Sequence, residues 1–321
     1  MAKTSPSEAR RRLDRLRALK ADPPRQADFA AEIFESETNA DVLMSVLAAL
    51  AAHPRHALRP ALVTRYTWFD GLGPRRDPGG MVRSGILRAL RDIAHPDDKE
   101  LFERATRTYE PSVQDRANPA GVRAAGLIAL FNLDQEAAVH RAIELIGDTD
   151  CIDSPSLEPA ATAIRILGEG DAQEALVTLL LLRADLPGEL LGEALKGLIR
   201  APATALGAVV ARYGGDSREM ALLGLCDLLI ENRSESLVPA FGRLLRSTPP
   251  DVLRYLVTAA VASRREEFAA PLAAAAREAT GRARMAVFDE GLALSHDPEV
   301  IGARAELQAR LQSSDAPRAS G

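Results

Sequence analysis

The chain has 321 residues, 46% of them hydrophobic but only 4% aromatic, and a formal net charge of −5. That apolar content excludes global disorder, and a core short of aromatics but rich in Ala, Leu and Val suits close-packed helices better than a β-sandwich. No stretch approaches 18 consecutive apolar residues and no apolar segment follows the charged N-terminus, so neither a membrane span nor a secretory signal is expected.

The charge is uneven: residues 1–91 carry +6 and residues 92–321 carry −11. Cys151 and Cys226 are the only cysteines. A disulfide framework is not indicated, and a cytoplasmic location is expected.

In chain order, the first element is a helix over residues 5–20. Ser5-Pro6-Ser7-Glu8 reads as a capping box with Pro at the first position. Leu13, Leu16 and Leu19 form a narrow apolar stripe among Arg10, Arg11, Arg12, Arg15 and Arg17. Residues 1–25 are therefore expected to form a basic cap.

A recurring phrase then runs from about residue 26 to 312: an apolar helix ends, a polar turn follows, and another helix begins. Anchored near the end of the first helix of each phrase, the copies fall at Leu50, Leu90, Leu130, Leu167, Leu198, Leu229, Ala260 and Leu292. Successive gaps are 40, 40, 37, 31, 31, 31 and 32 residues. A period near 31 accommodates two helices of roughly 12 residues with short turns. The longer early period implies insertions at 70–80 (DGLGPRRDPGG), 110–119 and 148–155.

Local signals agree with helices. Leu191, Ala194, Leu195 and Leu198, and again Leu253, Leu256, Val257 and Ala260, follow the i, i+3, i+4, i+7 spacing of one helical face. Helix starts are expected at Asp77-Pro78, Asn118-Pro119, Ser154-Pro155 and Thr248-Pro249. Gly85, Gly126, Gly192 and Gly224 recur four to six positions before an anchor. Glycine is unfavourable inside a helix, so its repetition points to close helix packing. The tail, 313–321, is small and polar and is expected to be disordered.

The segments PGGMVRSGILRAL (78–90), PAGVRAAGLIAL (119–130) and PDVLRYLVTAAV (250–261) share a polar turn, then Val/Leu-Arg, small residues and Leu. This motif resembles the HEAT-repeat family in its short bacterial form, an armadillo-type α-solenoid. The resemblance implies an all-α, right-handed superhelix of about eight helix pairs whose second helices line a concave surface. It implies that Arg83, Arg123 and Arg254 are structural, joining a polar ladder between repeats. Other repeats open their inner helices with Glu158, Glu189 or Arg218 instead. Such arrays usually bind proteins; a minority are DNA glycosylases acting on alkylated bases or lyases attaching bilins.

Tyr66, Trp68, Phe69 and Asp70 precede the insertion holding Arg75 and Arg76, and form the one dense aromatic cluster in the chain. Aromatics beside arginines suit a stacked base or a peptide anchor, and a glycosylase-like site needs aromatics with a carboxylate, as Trp68 and Asp70 would supply. The plainer alternative is that the aromatics pin a long loop onto the first repeats. Arg88, Arg91, Glu189, Glu193 and Lys196 are candidate surface positions on the inner helices.

Chemistry beyond binding finds little support. A calcium loop numbered from Asp148 through Asp150 and Asp153 meets Asp153 where glycine belongs and Pro159 where glutamate belongs. His53, His95 and His296 recur in repeat turns, as helix C-terminal caps would, while His56 and His140 lie apart; no zinc-ligand spacing exists. No catalytic residue, metal or cofactor is therefore expected. The expected function is a non-catalytic scaffold for another protein. Its alternative is nucleic-acid binding through residues 65–91, since 54–91 holds eight Arg against two Asp.

Overall fold

The computed structural model describes residues 4–110, 119–152, 156–170, 172–183 and 185–315, and every regular element among them is helical. The chain divides into two compact units, Met1–Gly170 and Asp171–Gly321.

Unit 1 contains α1 (Pro6–Ala18), α2 (Pro23–Phe34), α3 (Ala40–Ala52), α4 (Arg59–Leu72), α5 (Met81–Leu90), α6 (Lys99–Thr106), α7 (Ala120–Leu133), α8 (Gln135–Gly147), the short α9 (Thr149–Ile152) and α10 (Glu158–Glu169). Helices α3, α5, α7 and α10 pack successively on one another. Helices α2, α4, α6 and α8 pack against that row from α3 onward: α2 on α3, α4 on α5, α6 on α7, and α8 on both α7 and α10.

Unit 2 repeats the scheme. It contains α11 (Gln173–Leu182), α12 (Gly188–Lys196), α13 (Ala203–Tyr213), α14 (Glu219–Glu231), α15 (Val238–Ser247), α16 (Pro250–Ser263), α17 (Ala269–Glu278), α18 (Arg282–Gly291) and α19 (Pro298–Asp315). Here α12, α14, α16 and α18 form the row, while α11 packs on α13, α15 on α17 and α17 on α19.

All eight anchor residues lie in, or directly after, the last turn of a row helix, and all are buried. Helix α5 is flanked on several sides, so apolar and small residues occupy nearly its whole circumference. Along α5 only Met81 and Arg88 are exposed.

The recurring glycines permit this closeness. A Cβ on Gly224 would lie 2.3 Å from the Gly192 carbonyl oxygen, and one on Gly192 would lie 2.6 Å from that of Met220. A Cβ on Gly126 would lie 2.7 Å from Ala105 Cβ on α6, and one on Gly85 would lie 3.0 Å from Leu47 Cδ1 on α3.

Several helix boundaries differ from expectation. Ser5 Oγ does accept from the Glu8 N–H, but the Glu8 carboxylate pairs with Arg11 and Arg12 rather than closing a capping box. Asp77-Pro78 opens a 3₁₀ turn (Pro78–Gly80), and α5 begins only at Met81. Thr248 donates back to Leu244 O, finishing α15, so α16 starts at Pro250. Asn118, Ser154 and Pro155, named as helix starts, lie outside the described residues. So do Asp153 of the rejected calcium loop, most of the 110–119 insertion, and residues 316–321 of the expected tail. Ser313 belongs to α19, so the helix extends into the segment expected to be disordered.

Helix α1 docks on the first helices through charge as well as its apolar stripe. Buried Glu37 accepts from Arg12 Nη1 (2.7 Å), Thr4 Oγ1 (2.8 Å), Thr38 N (2.8 Å) and Asn39 N (2.7 Å). Burial alone would push the Glu37 carboxyl up, but the donors, led by the Asn39 N–H and Arg12, outweigh it and hold it below the ordinary value. A carboxyl so depressed stabilises the fold fully above its unfolded pKa and ceases to do so as pH falls through its folded one. Glu37→Gln is expected to lower stability at neutral pH by about 2 kcal/mol. The gap from wild type should close on acidification, as followed by denaturant melts from pH 7 to pH 3.

Candidate partner-binding surface

Helix α4 sorts its side chains by the 3.6-residue period. Leu62, Tyr66 and Phe69 turn inward and are buried, whereas Trp68 and Leu72, one turn apart, are exposed at 48% and 36%. Tyr66 and Phe69 were expected at a partner surface; they belong to the core, and Trp68 alone of the three is available. Its ring meets Phe69 edge-on at 4.7 Å, and the Arg76 guanidinium stands 5.6 Å above it. Burial raises the Tyr66 hydroxyl well above its usual pKa, reinforced by nearby Asp70.

The loop carrying Arg75 and Arg76 is held from beneath by a buried ion cluster. Asp77 accepts from the N–H groups of Val82 (2.9 Å) and Arg83 (3.0 Å), capping α5, and also from Arg83 Nε (3.1 Å). Arg83 Nη1 lies 2.6 Å from Glu110 Oε1 and 3.7 Å from Asp70 Oδ1. Asp70 in turn accepts from Arg104 Nε at 3.2 Å. Gly80, at φ +71°, closes the loop where a Cβ would lie 2.3 Å from Val122 Cγ2. Asp70 is thus committed to two arginines, which removes it from the role of a free carboxylate beside Trp68.

The motif arginines divide. Arg83 and Arg123 are fully buried. Arg123 donates to Thr108 O (3.1 Å) and lies 4.3 Å from the Tyr109 ring centroid. Arg254 instead sits at the surface, 3.3 Å from Glu290 Oε2 and 3.7 Å from Asp251 Oδ1, so it forms no buried rung.

The structure also changes the meaning of the arginine-rich stretch. Arg55 pairs with Asp28, Arg59 with Asp98, Arg88 with Glu158 and Arg91 with Asp92, while Arg65 donates to the carbonyls of Phe34, Glu35 and Glu37. With Arg83 buried, six of the eight arginines are engaged internally. Arg75 and Arg76 remain, neither paired with a carboxylate among the described residues.

Arg91 and Asp92, with Phe131, Asn132 and Gln135, border an open groove of about 480 Å³ where α5 and α7 end. In unit 2, Lys196 Nζ lies 3.2 Å from Asp227 Oδ2, and the Tyr255 hydroxyl donates to Asp227 Oδ1, linking α12, α14 and α16 across their exposed edges. The Asp227 contact and burial push the Tyr255 phenol up to about 12. Sequence reasoning named Lys196 but missed Asp227 and Tyr255. The available signal was the period itself, since Asp227 lies one 31-residue repeat beyond Lys196.

It likewise missed that Tyr109, Asp148 and Cys151 converge, the tyrosine hydroxyl reaching both the Asp148 carboxylate and, at 3.3 Å, Cys151 Sγ. The histidines stay apart. His95 is an N-cap, its Nδ1 accepting from the Asp97 N–H, rather than the C-terminal cap expected. Among the described residues no group of three or more His, Cys, Asp or Glu could hold a metal ion, and no helix is long and apolar enough to cross a membrane.

Both cysteines are buried and free. Desolvation lifts the Cys226 thiol to about 12 and raises Cys151 as well. In native protein at pH 8, iodoacetamide should label either thiol at least ~100-fold more slowly than in denatured protein, by mass spectrometry. The neutral thiol of Cys226 favours the fold at neutral pH, and this contribution declines as pH rises through the unfolded thiol pKa toward 12.

No protein-family profile matches the chain, and no curated protein or solved structure matches it.

Proposed function

We propose that the chain is a HEAT-type α-solenoid acting as a non-catalytic binding scaffold for a protein partner. The observation that carries this reading is the division of labour around α4 and α5. The groups suited to chemistry (Asp70, Asp77, Arg83 and Glu110) are spent on one another inside the fold. What remains outside is contact area: Trp68 and Leu72 on α4, with Arg75 and Arg76 on the loop fixed in place after it. Trp and Arg dominate the energetics of protein interfaces, and a preordered loop loses little entropy on binding. The eight phased anchors and the glycine-tight helix rows within each unit support the repeat reading.

Nucleic-acid binding is the weaker alternative. A phosphate-tracking surface needs several unspent cations, and the stretch 54–91 retains two.

The test is to purify the tagged protein from its native host, treat half with nuclease, and identify what co-purifies. A protein recovered in near-equal amount from both halves is the expected result. Nucleic acid in the untreated half, with no stoichiometric protein in either, would overturn the proposal.

A further inference from the structure

Building on the scaffold reading, we infer that the Trp68–Leu72–Arg75–Arg76 surface of unit 1 docks a short acidic segment of another protein, one carrying an aliphatic or aromatic side chain among its carboxylates.

Charge sets this patch apart from its surroundings. Most neighbouring arginines already have an internal oxygen partner, whereas Arg75 and Arg76 have no carboxylate among the described residues. Two adjacent guanidiniums on one loop favour an anionic occupant, and carboxylates match their fork geometry.

The adjoining apolar surface selects the class of anion. Trp68 and Leu72 are exposed one helical turn apart on the same face of α4, forming an apolar strip beside the cations. A carboxylate-rich segment with an apolar side chain satisfies both halves of the patch; a phosphate backbone alone leaves Leu72 without a match. Gly71, on the flank of this strip, is open: a Cβ there would meet nothing within 4 Å. A second chain can therefore approach the helix backbone at this point.

The site is also preformed. Arg76 is already placed over the Trp68 ring, and the Arg83 cluster holds the loop from below. A binding segment would order its own residues but would not need to order the loop.

Trp68 is the sole tryptophan of the chain, so its emission reports the site directly. The full-length protein is titrated with three probes: a 15-residue amphipathic peptide of Glu, Ala and Leu, the same peptide with Lys for Glu, and a 15-nucleotide single-stranded DNA. The expected result is a saturable blue shift with the Glu peptide only. Affinity should weaken at least tenfold in Arg75→Glu/Arg76→Glu, and should also weaken in Gly71→Leu, which removes no contact but adds bulk on the flank of the strip. All three positions are exposed, so no variant should melt below wild type, and Gly71→Leu should melt slightly above it because leucine favours the helix more than glycine does.

The absence of a saturable shift with the Glu peptide overturns the inference, as does equal affinity for the Lys peptide. Tighter binding of the oligonucleotide, with the same dependence on Arg75 and Arg76, also overturns it and assigns the patch to nucleic acid. Purification from the native host separates the role of this patch from that of the scaffold. Full retention of a stoichiometric partner by Arg75→Glu/Arg76→Glu removes this patch but leaves the scaffold standing; no protein partner for the wild type removes the scaffold itself.

Discussion

Replacing Gly224 with alanine is expected to destabilise unit 2 by about 3 kcal/mol or to prevent it from folding. The added methyl would sit 2.3 Å from the Gly192 carbonyl oxygen and 2.6 Å from Gly192 Cα. Both are backbone atoms of α12, so no rotamer change can relieve the clash, and α12 and α14 must move apart. That movement would open the row in which Leu191, Leu195, Leu225 and Leu228 are buried. Gly207→Ala in α13 is the control, because its Cβ would meet nothing within 4 Å. That substitution should stabilise by about 0.5–1 kcal/mol through helix propensity and a less flexible unfolded chain. Chemical denaturation of both variants measures the contrast; a Gly224→Ala protein as stable as wild type would refute the close helix crossing.

Arg83→Met should have an effect of similar size, for a different reason. Asp77 and Glu110 are nearly buried and share Arg83 as cation. Removing one partner of a buried ion cluster leaves uncompensated charge, which typically costs about 3–5 kcal/mol. Arg83→Lys should recover only part of the loss. One ammonium cannot reproduce the fork in which Nε meets Asp77 while Nη1 meets Glu110. The variant also has a local signature, since the Arg83 cluster supports the loop bearing Arg76. Arg83→Met should shift Trp68 emission to longer wavelength below the unfolding transition, whereas Gly224→Ala should leave it unchanged. Identical emission from wild type and Arg83→Met, with both fully folded, would dissociate the buried cluster from the binding loop.

Helix positions were legible because their cause is local. The spacing of Leu191, Ala194, Leu195 and Leu198 identifies a buried face, and all four are buried. The phased anchors located the row helices in both units, and the recurring glycines anticipated the tight contacts at Gly85, Gly126, Gly192 and Gly224. Boundaries were less legible at Asp77 and Thr248, where the proline that follows does not open a helix directly. At the first, Asp77 reaches past a 3₁₀ turn to cap α5; at the second, Thr248 closes the helix before it.

For the candidate site, composition singled out a segment but could not say which of its side chains reach the surface. Tyr66, Trp68 and Phe69 are neighbours in sequence and identical in aromatic character, yet the rotation of α4 against its neighbours buries two and exposes one. Likewise, eight arginines in 54–91 suggested a basic surface. Asp28, Asp98 and Glu158, distant in sequence, neutralise Arg55, Arg59 and Arg88 only after the chain folds.

The sequence by itself determined the helical class, the repeat period and the apolar faces, because each follows from backbone geometry and residue spacing over one or two turns. Tertiary structure alone decided which charges are spent. The same motif arginine is entombed with Asp77 and Glu110 at Arg83 and left at the surface beside Asp251 and Glu290 at Arg254. The reason is physical: desolvation and ion pairing depend on distances between residues of different helices, and packing sets those distances.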